Sequence, residues 1–433
     1  MFVTRSAFQW SVDLPVFQRI KVHFPRPKLA NPPAAAQQAL DAAGGAELFG
    51  AGRRVAITVG SRGIAGFPAI LAALVARIRA YGGQPHLVAA MGSHGGATAE
   101  GQLALLANLG ITEKTVGAPL VSSMEVVEVG RLADEMPVYL DRFAATADAI
   151  LVVNRIKPHP DFTSAWESGL AKMTAIGLGK RAGADTIHRY GVIGLQQQMP
   201  EAARLIVRRA PVCLGMAILE NAYHETARII AVPAAQIAGD LETALLQEAY
   251  SLMPGLPFAS IDVLVIDQIG KDISGTGMDA KIVGRIRVHG VADPAQPDIR
   301  TIAVLGLTAA SHGNAVGIGL ADVTTRTLFD QVDFESMYLN SLTSGITGIQ
   351  RAFIPVVAPD DQAAVLTALR ACGRPAPEHA WIVHIQNTLA LHELCVSLPL
   401  LEAMPPRYAI ERIGAPFMLS FEGGRLLPCA ANR

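Results

Sequence analysis

Cysteine is scarce: the 433 residues contain four, Cys213, Cys372, Cys395 and Cys429, and no two form a C-x-x-C pair. That scatter argues against a disulfide framework or a structural zinc site and favours reduced, mostly buried thiols. Surplus charge is also lacking. Lys and Arg total 36 against 37 Asp and Glu, and charged residues make up only 17% of the chain. No basic excess points to nucleic acid, and no like-charge block points to a solvated tail. Residues 1–28 hold no apolar core of the kind a secretory signal carries. The longest uncharged run, residues 301–320, is broken by Ser311, His312, Asn314 and four glycines. It suits a buried strand and turn, not a membrane span. No repeat of fixed period occurs. The expectation is a cytoplasmic protein that acts on a small molecule, away from membranes and nucleic acid.

What is plentiful is apolar residue, 51% of the chain, enough for large buried sheets. The length exceeds one typical core and predicts two domains. Residues 55–59 form a β-branched run ending at Gly60-Ser61. Residues 67–81 follow, with Pro68 early and Gly82-Gly83 after, which is a helix start and stop. A second strand at 85–91 closes on Gly92-Ser93-His94-Gly95-Gly96, and Thr98 then N-caps a helix that ends at Gly110. A third strand at 149–154 leads into a loop, 155–162, with prolines on both sides of His159. This alternation predicts a largely parallel, Rossmann-like sheet. Helices are expected at 196–209 and 234–252 and a strand at 212–219, before Pro254 and Pro257 mark a boundary. Beyond it, strands are expected at 261–266, 301–307, 353–357 and 380–385, with a helix at 360–371. The segment from Pro405 lacks periodicity. The division is therefore an N-terminal α/β domain (1–255), a C-terminal α/β domain (256–404) and a terminal segment (405–433).

Ligands of open α/β sheets sit at the carboxyl ends of strands. Arg62 follows the first strand, His94 the second and His159 the third, while Gln268 and Lys271 follow the first strand of the second domain. A single histidine in a glycine-rich turn is most often a loop or capping residue, and a single lysine at a helix start is most often solvated. Their joint context carries more weight. His94 stands in Met91-Gly92-Ser93-His94-Gly95-Gly96, His159 in Lys157-Pro158-His159-Pro160, Lys172 in Ser168-Gly169-Leu170-Ala171-Lys172, and His188 in Thr186-Ile187-His188. Other strings are weak. Gly177-Leu178-Gly179-Lys180 lacks the spacing and hydroxyl of a P-loop, and Gly317-Ile318-Gly319 lacks the third glycine of a dinucleotide fingerprint. Asp272 and Asp279 around Ser274-Gly275-Thr276-Gly277 read as a tight turn before a cation loop. His384, His392 and Glu393 do not form H-E-x-x-H and read as structural.

The four-residue set resembles the lactate racemase family, whose members bind a nickel pincer nucleotide. That family places a histidine after a Gly-Thr-His-like turn and a second in a Pro-His loop. A lysine follows in a Ser-Gly-Gly-x-Lys-like segment, and then a third histidine. The spacings here are 65, 13 and 16 residues. The middle one is a few residues longer than the family's, with Trp166-Glu167 in the extra stretch, so the substrate pocket is expected to differ there. Gln268-Ile269-Gly270-Lys271 is similar to a family Gln-x-x-Lys pair.

The resemblance implies a racemase or epimerase of a 2-hydroxy acid, working by reversible hydride transfer in an interdomain cleft. His94 and His159 would be paired acid/base residues, one per enantiomer, because the two hydroxyls point to different sides. Lys172 would hold the cofactor covalently through a thioamide, and His188 would be the protein ligand to nickel. The cofactor would be nickel bound to pyridinium-3-thioamide-5-thiocarboxylic acid mononucleotide. Arg62 would grip the substrate carboxylate, with Gln268 and Lys271 as further substrate contacts. Cofactor-biosynthesis proteins are implied as partners. Two alternatives stay open: a non-catalytic relative that binds the nickel nucleotide, and a zinc hydrolase liganded by His94, His159 and His188.

Overall fold

The computed structural model describes Phe8 and residues 12–160, 162–343 and 345–428. Cys429 lies outside them. The chain divides into two compact units: Pro25–Met253, and Met1–Phe24 together with Pro254–Arg433.

The first unit is built on a six-stranded sheet in the order Leu120–Val121, Gln84–Ala89, Arg54–Val59, Ala149–Arg155, Val212–Glu220, Thr226–Pro233. Every neighbouring pair is parallel except the last. Alternation along each strand explains why helices cover both faces. Ala56, Val88, Ile150 and Val152 feed one apolar cluster, and Val55, Ile57, Leu87, Leu151 and Val153 feed the other. A sheet buried on both faces reads as a continuous apolar run, and Arg54–Val59 is buried at every position after the first. The helix Phe67–Ala80 presents Ile70, Leu71, Leu74, Val75 and Ile78 to this sheet, a stripe at three- and four-residue spacing. Thr98 caps Ala99–Asn108 by accepting from the Gly101 N–H.

The path of the chain creates the location of the site. From Arg54–Val59 it moves outward to Gln84–Ala89 and Leu120–Val121, then returns to Ala149–Arg155 on the opposite side. The order therefore reverses between Arg54–Val59 and Ala149–Arg155, and such a switch point leaves a crevice at the carboxyl ends of the strands.

The second unit has an eight-stranded sheet in the order Val356–Ala358, Val323–Thr325, Asp298–Leu307, Ser260–Ile269, Ile382–Ile385, Glu393–Ser397, Phe17–His23, Ala409–Phe417. The first five strands are parallel and the rest antiparallel. Both units are thus α/β with largely parallel sheets.

Several elements differ from the sequence expectation. Phe17–His23 is paired between Glu393–Ser397 and Ala409–Phe417, so the N-terminal segment groups with the second half of the chain. Ala409–Phe417 is an edge strand whose residues are mostly exposed, which removes the alternation a sequence reader needs. The segment expected as one helix over 234–252 is a single 3-10 turn, Ala234–Gln236, and then the helix Asp240–Leu252 after Gly239. Near 353–357 the strand is Val356–Ala358, displaced past Pro355. Cys395 is disulfide-bonded, contrary to the expectation of reduced thiols, while Cys213 and Cys372 are free. No helix among the described residues is long and apolar enough to cross a membrane.

Candidate active site

Three adjacent strands of the first unit deliver the candidate residues. Ser61 and Arg62 leave Arg54–Val59, the His94 turn leaves Gln84–Ala89, and the His159 loop leaves Ala149–Arg155. The His94 turn needs glycine. Gly92 has φ +60°, and a Cβ there would meet Ile176 Cγ2 at 3.2 Å. Gly177 lets the backbone pass close, since a Cβ would meet the Ala90 carbonyl oxygen at 2.8 Å. That approach allows the Gly92 N–H to donate to the Gly177 carbonyl at 3.2 Å.

Lys172 ends a short helical turn, Leu170–Lys172, and is followed at once by a π-helical turn, Met173–Gly177. A second π-turn, Gly194–Gln198, follows the helix Lys180–His188 that ends on His188. Single π-turns cost hydrogen-bond geometry and gather at functional sites.

The side chains converge. Lys172 Nζ lies 2.7 Å from His159 Nε2. Ser61 Oγ hydrogen-bonds His94 Nδ1. His94 is exposed as a residue, yet its pKa is lowered to about 4, first by desolvation and then by the charges of Arg62, Lys172 and His188. Arg62, His94, Lys172 and His188 therefore share one electrostatic neighbourhood, and Lys172 joins His159 to it. Every charge acting on His94 is positive, so the neighbourhood suits an anion. Arg62 and His188 are exposed, and His159 and Lys172 are half-buried.

Gln268 and Lys271 belong to the second unit, at the end of Ser260–Ile269 and just beyond it. Gln268 lines a cavity of 470 Å³ with Leu307, Thr308, Ala309, Gly313 and Gln331. Lys271 Nζ donates to the Gly275 carbonyl at 2.8 Å, and its N–H donates to Ser311 Oγ at 2.9 Å. A larger cavity of 660 Å³, lined by Arg287, Asp322, Gln350 and Phe353, also lies in the second unit. None of its lining residues carries the proton chemistry of the histidine cluster. Asp272 takes part in a tight turn, as expected, with the Gly270 N–H donating to the Gly277 carbonyl at 2.8 Å and Asp272 Oδ1 accepting from Thr308. His384 is buried with Nε2 2.6 Å from Asp267 Oδ1.

Supporting residues escaped the sequence reading. Lys180, in the weak glycine-lysine string, is fully buried. Its Nζ donates to the Ala89 carbonyl at 2.5 Å and to Gln102 Oε1 at 2.6 Å, and lies 3.7 Å from Asp141 Oδ2. Gln102 then donates to the carbonyls of Gly92 and His94 at 3.0 and 3.2 Å, latching the His94 turn. Burial outweighs the mutual attraction of this pair: the Lys180 pKa is lowered and the Asp141 pKa raised, both by desolvation. On the other side Asn154 Nδ2 donates to the Gly169 carbonyl at 2.8 Å, next to the Lys172 turn.

Among the described residues no group of three or more His, Cys, Asp or Glu side chains could hold a metal. The zinc alternative, with His94, His159 and His188 as ligands, therefore has no ligand set here. A metal that takes one protein ligand and its remaining donors from an organic cofactor is untouched by that finding.

Residues 28–199 match the family model described as the lactate racemase N-terminal domain. Among solved structures the chain is similar to the lactate racemase apoprotein from Thermoanaerobacterium thermosaccharolyticum. The identity is 12% and the TM-score 0.53, over 88% of this chain and 94% of that one. It is also similar to a Thermotoga maritima protein, at 14% identity and TM-score 0.48, over 74% of this chain and 81% of that one. No curated protein matches the chain in sequence.

Proposed function

We propose that this chain, whose residues 28–199 match the lactate racemase N-terminal domain, is an isomerase that racemises or epimerises a 2-hydroxy acid with His94 and His159 as acid/base pair. The observation that carries this reading is the pairing of Lys172 Nζ with His159 Nε2 at 2.7 Å in the same positive neighbourhood as His94.

The residues fit a nickel pincer nucleotide. A half-buried amine on Lys172, an accessible imidazole on His188 and surrounding positive charge suit an anionic nucleotide that takes one covalent and one metal bond from protein. When bound, that group supplies a hydride acceptor, the part of the chemistry that side chains cannot perform.

The protein's own task is the hydroxyl proton. A hydroxyl cannot become a carbonyl unless its proton leaves as hydrogen leaves carbon, so a base must stand within hydrogen-bond reach. His94 is suited because burial lowers its pKa and favours the neutral imidazole, the form that can accept a proton. In the tautomer whose Nδ1–H donates to Ser61 Oγ, Nε2 carries the lone pair that would accept the proton. His159 is the second base, for the opposite enantiomer. Its Nε2 faces the Lys172 amine, and converting that amine to a neutral thioamide would remove a competing donor from the imidazole. Arg62 would hold the substrate carboxylate through its planar fork. Gln268 and Lys271 would be further substrate contacts. Water exclusion around the reacting carbon would favour return of hydride over side reactions.

The test is a panel of 2-hydroxy acids, each supplied as one enantiomer or epimer to protein loaded with cofactor and followed by chiral chromatography. Appearance of the opposite configuration for at least one acid is the expected result. Loaded protein that converts none of them would overturn the reading.

A further inference from the structure

The helix Asp240–Leu252 reaches both halves of the Lys172–His159 pair. Near its start, Glu242 is buried among the residues beneath the Lys172 turn. Its Oε1 accepts the Ala171 N–H at 2.9 Å and its Oε2 accepts the Ala238 N–H at 2.8 Å. Gly169 makes room for this carboxylate, since a Cβ there would stand 2.5 Å from Glu242 Oε1. Eight residues on, and so on the same helical face, the Tyr250 hydroxyl donates to Glu167 Oε1 at 2.8 Å. Glu167 is also buried. Its Oε2 accepts the His159 N–H at 2.6 Å, and its Oε1 accepts the Ser164 N–H at 3.1 Å. Trp166 adds a third tie by donating its indole N–H to the Gly239 carbonyl at 3.1 Å, with Arg204 stacked on the ring at 4.5 Å.

Each tie is local, but together they fix a distance. The His159 loop is flanked by prolines, and proline has no N–H, so His159 supplies the one backbone donor between Lys157 and Asp161. Its N–H goes to Glu167. The Lys172 turn begins on amides that a carboxylate also holds. We propose that Glu167, Tyr250 and Glu242 are positioning residues, by which the helix Asp240–Leu252 fastens the His159 loop at one end and the Lys172 turn at the other and so sets the approach of imidazole to amine. The proposal rests on the roles given above to His159 and Lys172.

The experiment has two readouts on Glu167→Gln and Tyr250→Phe. The first is hydrogen–deuterium exchange of the unloaded protein in peptides spanning residues 156–165, compared with the core strand Ala149–Arg155. Glutamine offers one acceptor where the loop presents two amides, so exchange at the His159 segment should quicken at least about tenfold while the core strand is unchanged. The second is turnover of the loaded protein. A misplaced base acts in the transition state, so kcat should fall about tenfold to hundredfold with KM within about twofold. Tyr250→Phe should move both readouts the same way by less, and it decides alone if Glu167→Gln fails to fold. Unchanged loop exchange, or faster exchange with unaltered kcat, would overturn the proposal. A wild-type chain that takes up no cofactor and converts no hydroxy acid would instead remove the racemase reading, while the exchange comparison would still decide whether the helix fastens the loop.

Discussion

Lys180→Met is a demanding perturbation of the first unit. Methionine has nearly the length of lysine, so the cavity term is small and the loss is electrostatic. The ammonium donates to the Ala89 carbonyl and Gln102 Oε1, and it is the nearest cation to Asp141, whose side chain is also fully buried. Two acceptors lose their donor, each worth about 1–3 kcal/mol when left buried and unpaired. Asp141 loses its counter-charge, but its already raised pKa lets it take up a proton, which limits that cost. The sum falls at about 3–5 kcal/mol, the range typical of breaking a buried pair. Urea titration of wild type and variant would read it as a shift in midpoint at constant slope. The deficit should shrink on acidification. Without Lys180 the folded-state pKa of Asp141 rises further above its unfolded value. Stability from a group so raised is fully present below the unfolded pKa and is lost as pH climbs through the folded one. The deficit should therefore be smaller near pH 4 than near pH 7, with the share from the two unpaired acceptors remaining at both. Adding Asp141→Asn should recover part of the loss, because asparagine still caps Ala144 through its oxygen and carries no charge. A deficit below about 1 kcal/mol at pH 7, or one independent of pH, would refute the reasoning.

Lys172→Ala should abolish covalent cofactor retention. Intact mass of wild type and variant after loading decides it, and an equal mass gain on both would defeat the assignment. His94→Ala and His159→Ala should each lower turnover in both directions by about 10²–10⁴-fold, the usual worth of a positioned acid/base. In single turnovers each variant should fail with a different enantiomer, and normal single turnovers by both would remove the histidines from the mechanism. The depressed pKa of His94 has a stability consequence: between about 6.5 and about 4 the unfolded chain binds a proton there that the folded chain does not. Stability should therefore be full above about pH 6.5 and decline toward pH 4. His94→Gln should flatten that decline in pH-dependent thermal melts, and an unchanged slope would count against the shift.

Much of the first unit was legible because its strands are buried on both faces. A run such as Arg54–Val59 is apolar almost throughout and stops at glycine, so strand, crossover and parallel pairing follow from pattern. His94 and His159 were legible for a related reason, since each follows a strand end where open sheets bind ligands, whereas His188 ends a helix. Elements with little burial were not. Ala409–Phe417 pairs along one edge and exposes most of its residues, so nothing in its periodicity marks it. The supporting polar residues were hidden by sequence distance. Glu167 meets Tyr250 across 83 residues and Lys180 meets Gln102 across 78, and no local pattern announces a buried lysine or glutamate. Trp166 and Glu167 were visible in the loop before Lys172, but only the packing gives them partners.

In the proposed mechanism hydrogen leaves and returns to the same carbon as hydride, with the histidines handling only the hydroxyl proton. The most direct test supplies the loaded protein with a single enantiomer of an accepted 2-hydroxy acid deuterated at C2, in ordinary water, and measures deuterium in the opposite enantiomer by chiral separation and mass spectrometry. Retention of the label at C2 is the expected result, because a hydride held at the site does not exchange with solvent. Loss of the label to water as the configuration inverts would mean that a side chain removes the C2 proton, and it would contradict the mechanism proposed for His94 and His159.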